Sequence, residues 1–168
     1  TNCDLLLWRK GSSPISMQDL TGRLLQTGIG QYLEITHNLY GFTRPSSYTK
    51  RPTTQEQAID LEDRQTYLIV YPFSKTTEWF LMSRDARQGM MNEHIRIGHQ
   101  YPDIMQLLLY SFGVQDQEFV VVYETDDLTK FSDLVNELRS TEARRYTERD
   151  TPLFTATHHA AEETLALY

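Results

Sequence analysis

The amino-acid sequence predicts an α+β protein. Short apolar runs in this chain alternate apolar and polar residues as strands do, and the segments between them carry apolar residues at the three- and four-residue spacing of helices. From Tyr67 onwards the order of these patterns is β-α-β-β-α-β. This is the order of a complete ferredoxin-like unit, and the earlier part of the chain contains only half of such a unit.

The first third of the chain predicts this half-unit, in the order β-α-β. Residues 3–9 form a short apolar run typical of a buried strand, and a turn follows at Gly11. A helix then begins at its cap, Ser16, and ends near Gly28, and residues 32–42 alternate as a second strand. The predicted apolar face of the helix carries Met17, Leu20, Leu24 and Leu25.

The second part begins after a polar, proline-containing segment, residues 44–65, which predicts a linker or a flap over a site. A strand then runs from Tyr67 to Pro72, and Ser83 caps a helix of about 17 residues that Pro102 ends. The remaining elements are two strands within 104–112 and 118–124, a helix over 128–140 capped by Asp126 or Asp127, and an extended segment over 144–154.

These patterns predict four segments. Residues 1–43 form a partial ferredoxin-like unit, residues 44–65 the linker or flap, residues 66–156 a complete ferredoxin-like unit that carries the ligand site, and residues 157–168 a tail. The arrangement is that of a dimeric α+β barrel with an incomplete first half. Because an incomplete sheet leaves an open edge, we expect a homo-oligomer that covers this edge.

Composition and charge narrow the class of function. The formal net charge of -7 argues against nucleic acid as a partner, because binding phosphates requires a basic face. A single cysteine, Cys3, predicts a reducing compartment, and we expect the cytoplasm. No apolar run approaches the roughly 20 residues of a transmembrane helix, and no export signal is visible at the start of the sequence.

The candidate for chemistry is His94, on the apolar face of the predicted helix after Ser83. Gly98 lies one turn further on the same face and leaves room beside the histidine for a flat ring. An axial ligand of a haem-type ring requires such an apolar slot, but a hydrogen-bonded core histidine fits the same spacing. His99 is rotated by about 140° from His94 on a helix, so the two cannot bind one metal ion. The other members of the predicted face are Met90, Met91, Ile97 and Tyr101.

Several motifs, taken in order, resemble one known family. The runs YPFSK, EW, EHIRIGHQYP and ELRSTEARRYTERDTP resemble the chlorite dismutase superfamily and, within it, the coproheme decarboxylases, and the resemblance covers roughly residues 3–155 in order. The resemblance implies paired ferredoxin-like units, commonly assembled as a pentamer. It also implies that residues 66–156 bind haem, as coproheme or haem b, with iron held through His94.

The resemblance assigns roles to further residues. Glu142 matches a carboxylate that hydrogen-bonds the axial histidine. Tyr71 and Lys75 match a Tyr-Pro-x-x-Lys element, in which the tyrosine becomes a radical that takes hydrogen from a propionate and the lysine lies near that propionate. Trp79 matches a tryptophan that is either packing or functional, and Arg139 an arginine that binds a propionate.

One position separates the two activities of the superfamily. Chlorite dismutases have an arginine on the strand after Pro102, whereas this sequence has Gln106 or, in the alternative register, Leu107. The resemblance therefore favours hydrogen peroxide-dependent oxidative decarboxylation of coproheme to haem b, with a porphyrin and hydrogen peroxide as partners. Two alternatives remain: a chlorite dismutase-like or peroxidase-like haem enzyme, and a non-catalytic oligomeric scaffold that has lost haem.

Overall fold

The computed structural model describes residues 2–49, 55 and 64–167. The chain divides into two compact units, one formed by Cys3–Asn38 and the other by Thr1–Asn2 with Leu39–Tyr168. No helix in the described ranges is both long enough and apolar enough to cross a membrane. Of the predicted linker or flap, residues 50–54 and 56–63 lie outside the described residues.

The unit Cys3–Asn38 contains helix α1, Pro14–Leu25, and a 3-10 helix, Ile29–Tyr32. Helix α1 is the helix that the sequence predicts, but it begins before Ser16, with Pro14 in the first turn, where a missing N–H leaves no bond unmade. Gly30 is required after α1, because a Cβ there would lie 1.9 Å from the carbonyl oxygen of Leu24.

The prediction of two strands in the first third of the chain is wrong. Residues 3–9 form no strand, and within 32–42 only Phe42 makes a β-bridge, in which Phe42 and Tyr110 exchange two backbone hydrogen bonds of 2.9 Å. Apolar alternation indicates an extended, half-buried segment. A strand additionally needs a neighbouring backbone to pair with, and that neighbour is not encoded locally.

The other unit contains a five-stranded antiparallel sheet and the helices that cover it. The strands are β1 (Tyr67–Lys75), β2 (Met105–Tyr110), β3 (Phe119–Thr125), β4 (Thr147–Arg149) and β5 (Phe154–Thr157). The order is β2-β3-β1, with β4 and β5 both beside the other edge of β1. The helices are α2 (Thr77–Leu81), α3 (Arg84–Gly98), α4 (Leu128–Arg139), the 3-10 helix Glu142–Tyr146 and α5 (Ala161–Ala166).

The predicted α+β class and the β-α-β-β-α-β order are therefore confirmed, with short α2 added and the last strand split into β4 and β5. Strand β1 runs to Lys75, past its predicted end at Pro72. Val70 pairs with Phe154 in β5 and Ser74 with Arg149 in β4, so Pro72 lies opposite the break between them. A proline is tolerated there because that stretch of β1 has no strand beside it on this edge.

The caps fix where the two long helices begin. Ser83 Oγ accepts a hydrogen bond of 3.2 Å from the Ala86 N–H, as predicted for α3. At α4 the cap is Asp127, whose Oδ1 accepts hydrogen bonds from the N–H groups of Thr129 and Lys130 at 2.9 and 3.0 Å. The Asp126 carboxylate instead accepts hydrogen bonds from the backbone N–H and the hydroxyl of Thr66.

Helices α3 and α4 pack on one face of the sheet, which we call the helix-facing side. Its core joins odd-numbered residues of β1 and β3 to apolar residues of both helices, because side chains of directly paired strand residues share a face. The fully buried members of this core are Ile69, Ile97, Ile104, Val121, Tyr123, Phe131 and Leu134.

Candidate functional site

His94 lies on the helix-facing side, on α3, three residues before the buried core residue Ile97. Its side chain is partly buried, and the described residues form no hydrogen bond to its ring. Burial, and then the positive charge of Lys75, lower the pKa of His94 to about 4, although Glu93 opposes this shift. The imidazole is therefore neutral near pH 7, with a nitrogen lone pair available to a metal.

Lys75, at the end of β1, is held by the protein next to His94. Its Nζ donates hydrogen bonds to the carbonyl oxygen of Ala143 at 3.0 Å and to Thr147 Oγ1 at 3.3 Å. The same Nζ lies 4.4 Å from the centre of the Trp79 ring. Burial and the nearby Arg144 lower the pKa of Lys75 to about 8. Its ammonium group thus contacts the protein, on the side of the unit where His94 lies.

Trp79 is buried on the short helix α2. Its ring centre lies 6.0 Å from that of Tyr146 and 6.4 Å from that of Tyr48. These two rings and the Lys75 ammonium surround Trp79, so its burial is explained by packing within the protein. Trp79 therefore supports the position of Lys75.

Tyr71 lies on the helix-facing side of β1, against Tyr123 of β3. The two rings stack with their centres 6.2 Å apart and their planes 26° apart. Burial raises the pKa of Tyr71 well above its ordinary value, and the hydrogen-bonded Tyr123 and the negative charge of Asp150 raise it further. The phenol is therefore protonated at all physiological pH values.

Arg139, at the end of α4, lies close enough to Tyr71 to act on its pKa, which the arginine lowers slightly. Its guanidinium donates to Asp150 Oδ2 at 3.4 Å, and Arg144 donates to the same oxygen at 2.8 Å. About half of the Arg139 side chain is exposed. Asp150 therefore binds an arginine that the resemblance assigns to a propionate.

Glu142 reaches the neighbourhood of His94 through its backbone. Its N–H donates to Glu93 Oε2 at 3.2 Å, and Glu93 precedes His94 on α3. The Glu142 carboxylate instead accepts a hydrogen bond of 3.0 Å from Arg145. In the described residues it makes no hydrogen bond to the His94 ring, so Glu93, which the sequence reasoning overlooked, is the carboxylate whose charge acts on His94.

The pairing of β2 with β3 shows on which face of the sheet Gln106 and Leu107 each lie. Gln106 pairs with Tyr123, so it lies on the helix-facing side with Tyr71. Leu107 pairs with Val122, on the opposite face of the sheet. Of these two residues, Gln106 is therefore the one that shares a sheet face with Tyr71, the candidate catalytic tyrosine.

Gly98, the last residue of α3, has open space around it, since a Cβ there would have no atom within 4 Å. Its carbonyl oxygen accepts a hydrogen bond of 3.4 Å from Gln55, whose side chain also bonds the carbonyl oxygens of Tyr101 and Ile104. The protein alone therefore tolerates a side chain at Gly98, and a requirement for glycine there would come from a bound ring.

An aromatic row extends across the helix-facing side from β1 to β2. The rings of Phe73 and Phe119 stack 4.6 Å apart, and Tyr110 and Phe112 lie 5.6 and 4.9 Å from Phe119. Phe112 is 45% exposed, and Leu108 of β2 is 37% exposed, so α3 and α4 leave this part of the sheet accessible. A flat apolar ligand fits a surface of this kind.

The site thus combines one histidine with an apolar face, without a polydentate metal site. In the described part of the chain, no three His, Cys, Asp or Glu side chains converge on one point. A haem needs only one protein ligand to its iron, so His94 and the aromatic row suit a haem better than a free metal ion. His99, His158 and His159 are exposed.

A family model described as chlorite dismutase matches residues 1–159. The chain belongs to the chlorite dismutase family. A coproheme decarboxylase of Mycolicibacterium smegmatis is 26% identical over 98% of this chain and 71% of its own length. A protein of Halobacterium salinarum named as heme-binding is 29% identical over 78% of this chain, and the match spans only 33% of that relative.

Solved structures of the chlorite dismutase family have the same fold. The chlorite dismutase of Candidatus Nitrospira defluvii, in complex with imidazole, matches with a TM-score of 0.80 and 24% identity over 92% of this chain and 68% of that one. Another structure described as a chlorite dismutase is 32% identical, with a TM-score of 0.61, over 67% of this chain and 55% of that one. The chain thus spans little more than half of that family member.

Proposed function

We propose that this protein is a haem-binding oxidoreductase that converts coproheme to haem b with hydrogen peroxide. The observation that carries the proposal is the His94 ring, which is neutral, partly buried and without a hydrogen bond from the described residues, on a helix that packs on the same side of the sheet as the aromatic row. The coproheme decarboxylase relative supports the choice of substrate.

Each candidate residue has a physical role in this proposal. His94 would provide the nitrogen that holds the iron, and the apolar rings of Phe73 and Phe119 would keep water from the site. A bound haem-type iron supplies redox chemistry with hydrogen peroxide. Tyr71 would give the hydrogen of its Oη, as one proton and one electron, to the oxidant derived from hydrogen peroxide. The tyrosyl radical would then take a hydrogen atom from the substrate propionate, which restores the O–H bond. Gln106 presents an amide on the same face of the sheet.

The overall reaction balances for each propionate. One propionic acid group and one hydrogen peroxide give one vinyl group, one carbon dioxide and two waters. The C–COOH bond breaks, the propionate carbons are oxidised by two electrons, and the peroxide O–O bond is reduced. Two such rounds convert coproheme to haem b.

The experiment is to load the purified protein with ferric coproheme, add hydrogen peroxide, and measure the porphyrin mass. We expect the mass to fall in two steps, each by one carbon dioxide and two hydrogens. The matched control is the protein loaded with haem b, whose mass should show neither loss. A coproheme complex that forms but keeps its mass would contradict the decarboxylase proposal.

A second candidate, a chlorite-degrading or peroxidase-like haem enzyme, is favoured by the contacts of Lys75. Because its ammonium already donates to Ala143 and Thr147, fewer of its N–H groups are available to a propionate. Against chlorite chemistry, the described strands β1, β2 and β3 contain no arginine. Oxygen release from chlorite by the haem-loaded protein would support this candidate, and the absence of a Soret band with any haem would support the non-catalytic scaffold.

Assembly is part of the proposal. We infer a homo-oligomer, with a pentamer favoured, because β2 lies at one edge of the sheet and a sheet edge offers backbone groups to a partner. Light scattering coupled to size-exclusion chromatography measures the subunit number directly. A measured mass equal to that of one chain at all protein concentrations would contradict the proposed homo-oligomer.

A further inference from the structure

Arg87 lies on α3 seven residues before His94, and residues seven apart share a helix face. Two helical turns separate them, about 10.5 Å along the helix axis. If His94 held a porphyrin, Arg87 would lie on the same helix face at a distance that suits the rim of the ring, where the carboxylate substituents are.

The guanidinium of Arg87 has no partner among the described residues. Its Nε is buried and makes no hydrogen bond, and no ion pair or ring contact involves the side chain. Two other arginines of this unit have acceptors in the protein: Arg84 donates to the Ser47 carbonyl oxygen at 3.4 Å, and Arg144 donates to Asp150 at 2.8 Å. A buried donor of a charged group without an acceptor is costly, and an anionic ligand would supply the acceptor that Arg87 Nε lacks.

A second unsatisfied group lies in the segment beside α3. The carbonyl oxygen of Tyr48 accepts a hydrogen bond of 3.1 Å from Gln88, the residue after Arg87. The hydroxyl of Thr49, the next residue along this segment, is buried and has no hydrogen-bond partner. Unbonded polar groups thus occur on two segments that the Gln88–Tyr48 hydrogen bond joins.

We propose that Arg87 binds a carboxylate substituent of the tetrapyrrole and so selects a porphyrin acid with a propionate at that point of its rim. The inference rests on the proposed haem function and adds a specificity-determining residue to it. The planar guanidinium matches a carboxylate with two parallel N–H···O bonds, which a lysine cannot reproduce.

The test compares ferric coproheme with its tetramethyl ester, whose carboxylates are masked, by Soret titration of the full chain. We expect Arg87→Gln to weaken coproheme binding about tenfold or more while leaving ester binding unchanged, and Arg87→Lys to lie between. The matched controls are Arg84→Gln and Arg96→Gln, two exposed positions of the same helix, which should bind both porphyrins as the wild type does.

Thermal unfolding of the ligand-free variants separates ligand binding from a structural role. Removing an unpartnered charge should leave the melting temperature unchanged or raise it, whereas loss of a structural arginine would lower it by several degrees. Equal coproheme affinity of Arg87→Gln and the wild type, an equal loss for acid and ester, or a lowered melting temperature would each overturn the inference. A wild type that binds neither porphyrin would overturn the proposed haem function itself, and the assignment of Arg87 with it.

Discussion

The rings of Tyr71 and Tyr123 stack at 6.2 Å between centres, on neighbouring strands of one sheet face. They are diagonal neighbours, since Tyr71 pairs with Val121 and Ile69 with Tyr123. The phenol proposed to do the chemistry thus has a second phenol as its hydrogen-bonded neighbour. This relationship gives a test that separates the reacting tyrosine from its support.

Tyr71→Phe removes the hydroxyl and keeps the ring. We expect the variant to bind coproheme with a normal Soret band, while peroxide-dependent loss of carbon dioxide falls at least about a hundredfold, because the reacting O–H is gone. Porphyrin mass after a fixed time measures the rate. Tyr123→Phe is the matched control: it removes only a neutral hydrogen bond, so its rate should fall about tenfold or less. A Tyr71→Phe enzyme as fast as Tyr123→Phe would contradict the assigned role.

His94→Ala removes the proposed iron ligand. We expect the affinity for ferric haem to fall at least about a hundredfold and the Soret maximum to shift, because the variant lacks the nitrogen proposed to bind the iron. His99→Ala, on the exposed end of the same helix, controls for altered helix stability and should titrate as the wild type does. Identical titrations for the two variants would exclude His94 as the ligand.

Gly98→Ala tests whether a ring approaches the end of α3. A Cβ meets no atom within 4 Å at Gly98 or at Gly89, so neither alanine variant should unfold the protein. Alanine in a helix is favoured over glycine, and both variants should gain up to about 1 kcal/mol in the free energy of unfolding. Only Gly98→Ala should weaken haem binding, by about tenfold, because its methyl group occupies space beside the ring. Equal haem affinities would show that no ring packs there.

The ligand-free protein should lose stability as the pH falls from about 6.5 to about 4. In this window the unfolded histidine at position 94 binds a proton and the folded one does not, since the pKa of folded His94 is lowered to about 4. The unfolded state therefore binds more protons, and the free energy of unfolding decreases with decreasing pH, by on the order of 2 kcal/mol in total. Urea unfolding at several pH values measures it. His94→Asn removes this titration, so its stability profile should be flatter by that amount, and parallel profiles would contradict the prediction.

Local periodicity predicted most of the second unit. Ser83 as the cap of α3, the positions of β2 and β3 and the bounds of α4 depend on residues near in sequence, and the structure agrees. The strands predicted over 3–9 and 32–42 depended on distant partners and are absent from the described structure. The choice between Asp126 and Asp127 as the cap of α4 was also open, because both residues are acceptors of the right type.

The candidate site was less accessible to sequence reasoning than the fold. His94 was identified from helix spacing, and Arg87 could have been found in the same way, seven residues earlier on the same face. The hydrogen-bond partners of Lys75 could not have been found from helix spacing, because Ala143 and Thr147 lie about 70 residues away in the chain. Nor could spacing show that the Glu142 carboxylate binds Arg145 while its N–H binds Glu93.

The sequence by itself determined the α+β class, the order of elements from Tyr67 onwards and the helix face that carries His94, because these follow from side-chain periods of two and 3.6 residues. Only the tertiary structure decided that Gln106 and Tyr71 share a face, that Leu107 lies on the other, and that the buried Nε of Arg87 has no acceptor among the described residues. Strand register and side-chain partners are set by contacts between residues far apart in the chain, and a local pattern carries no information about them.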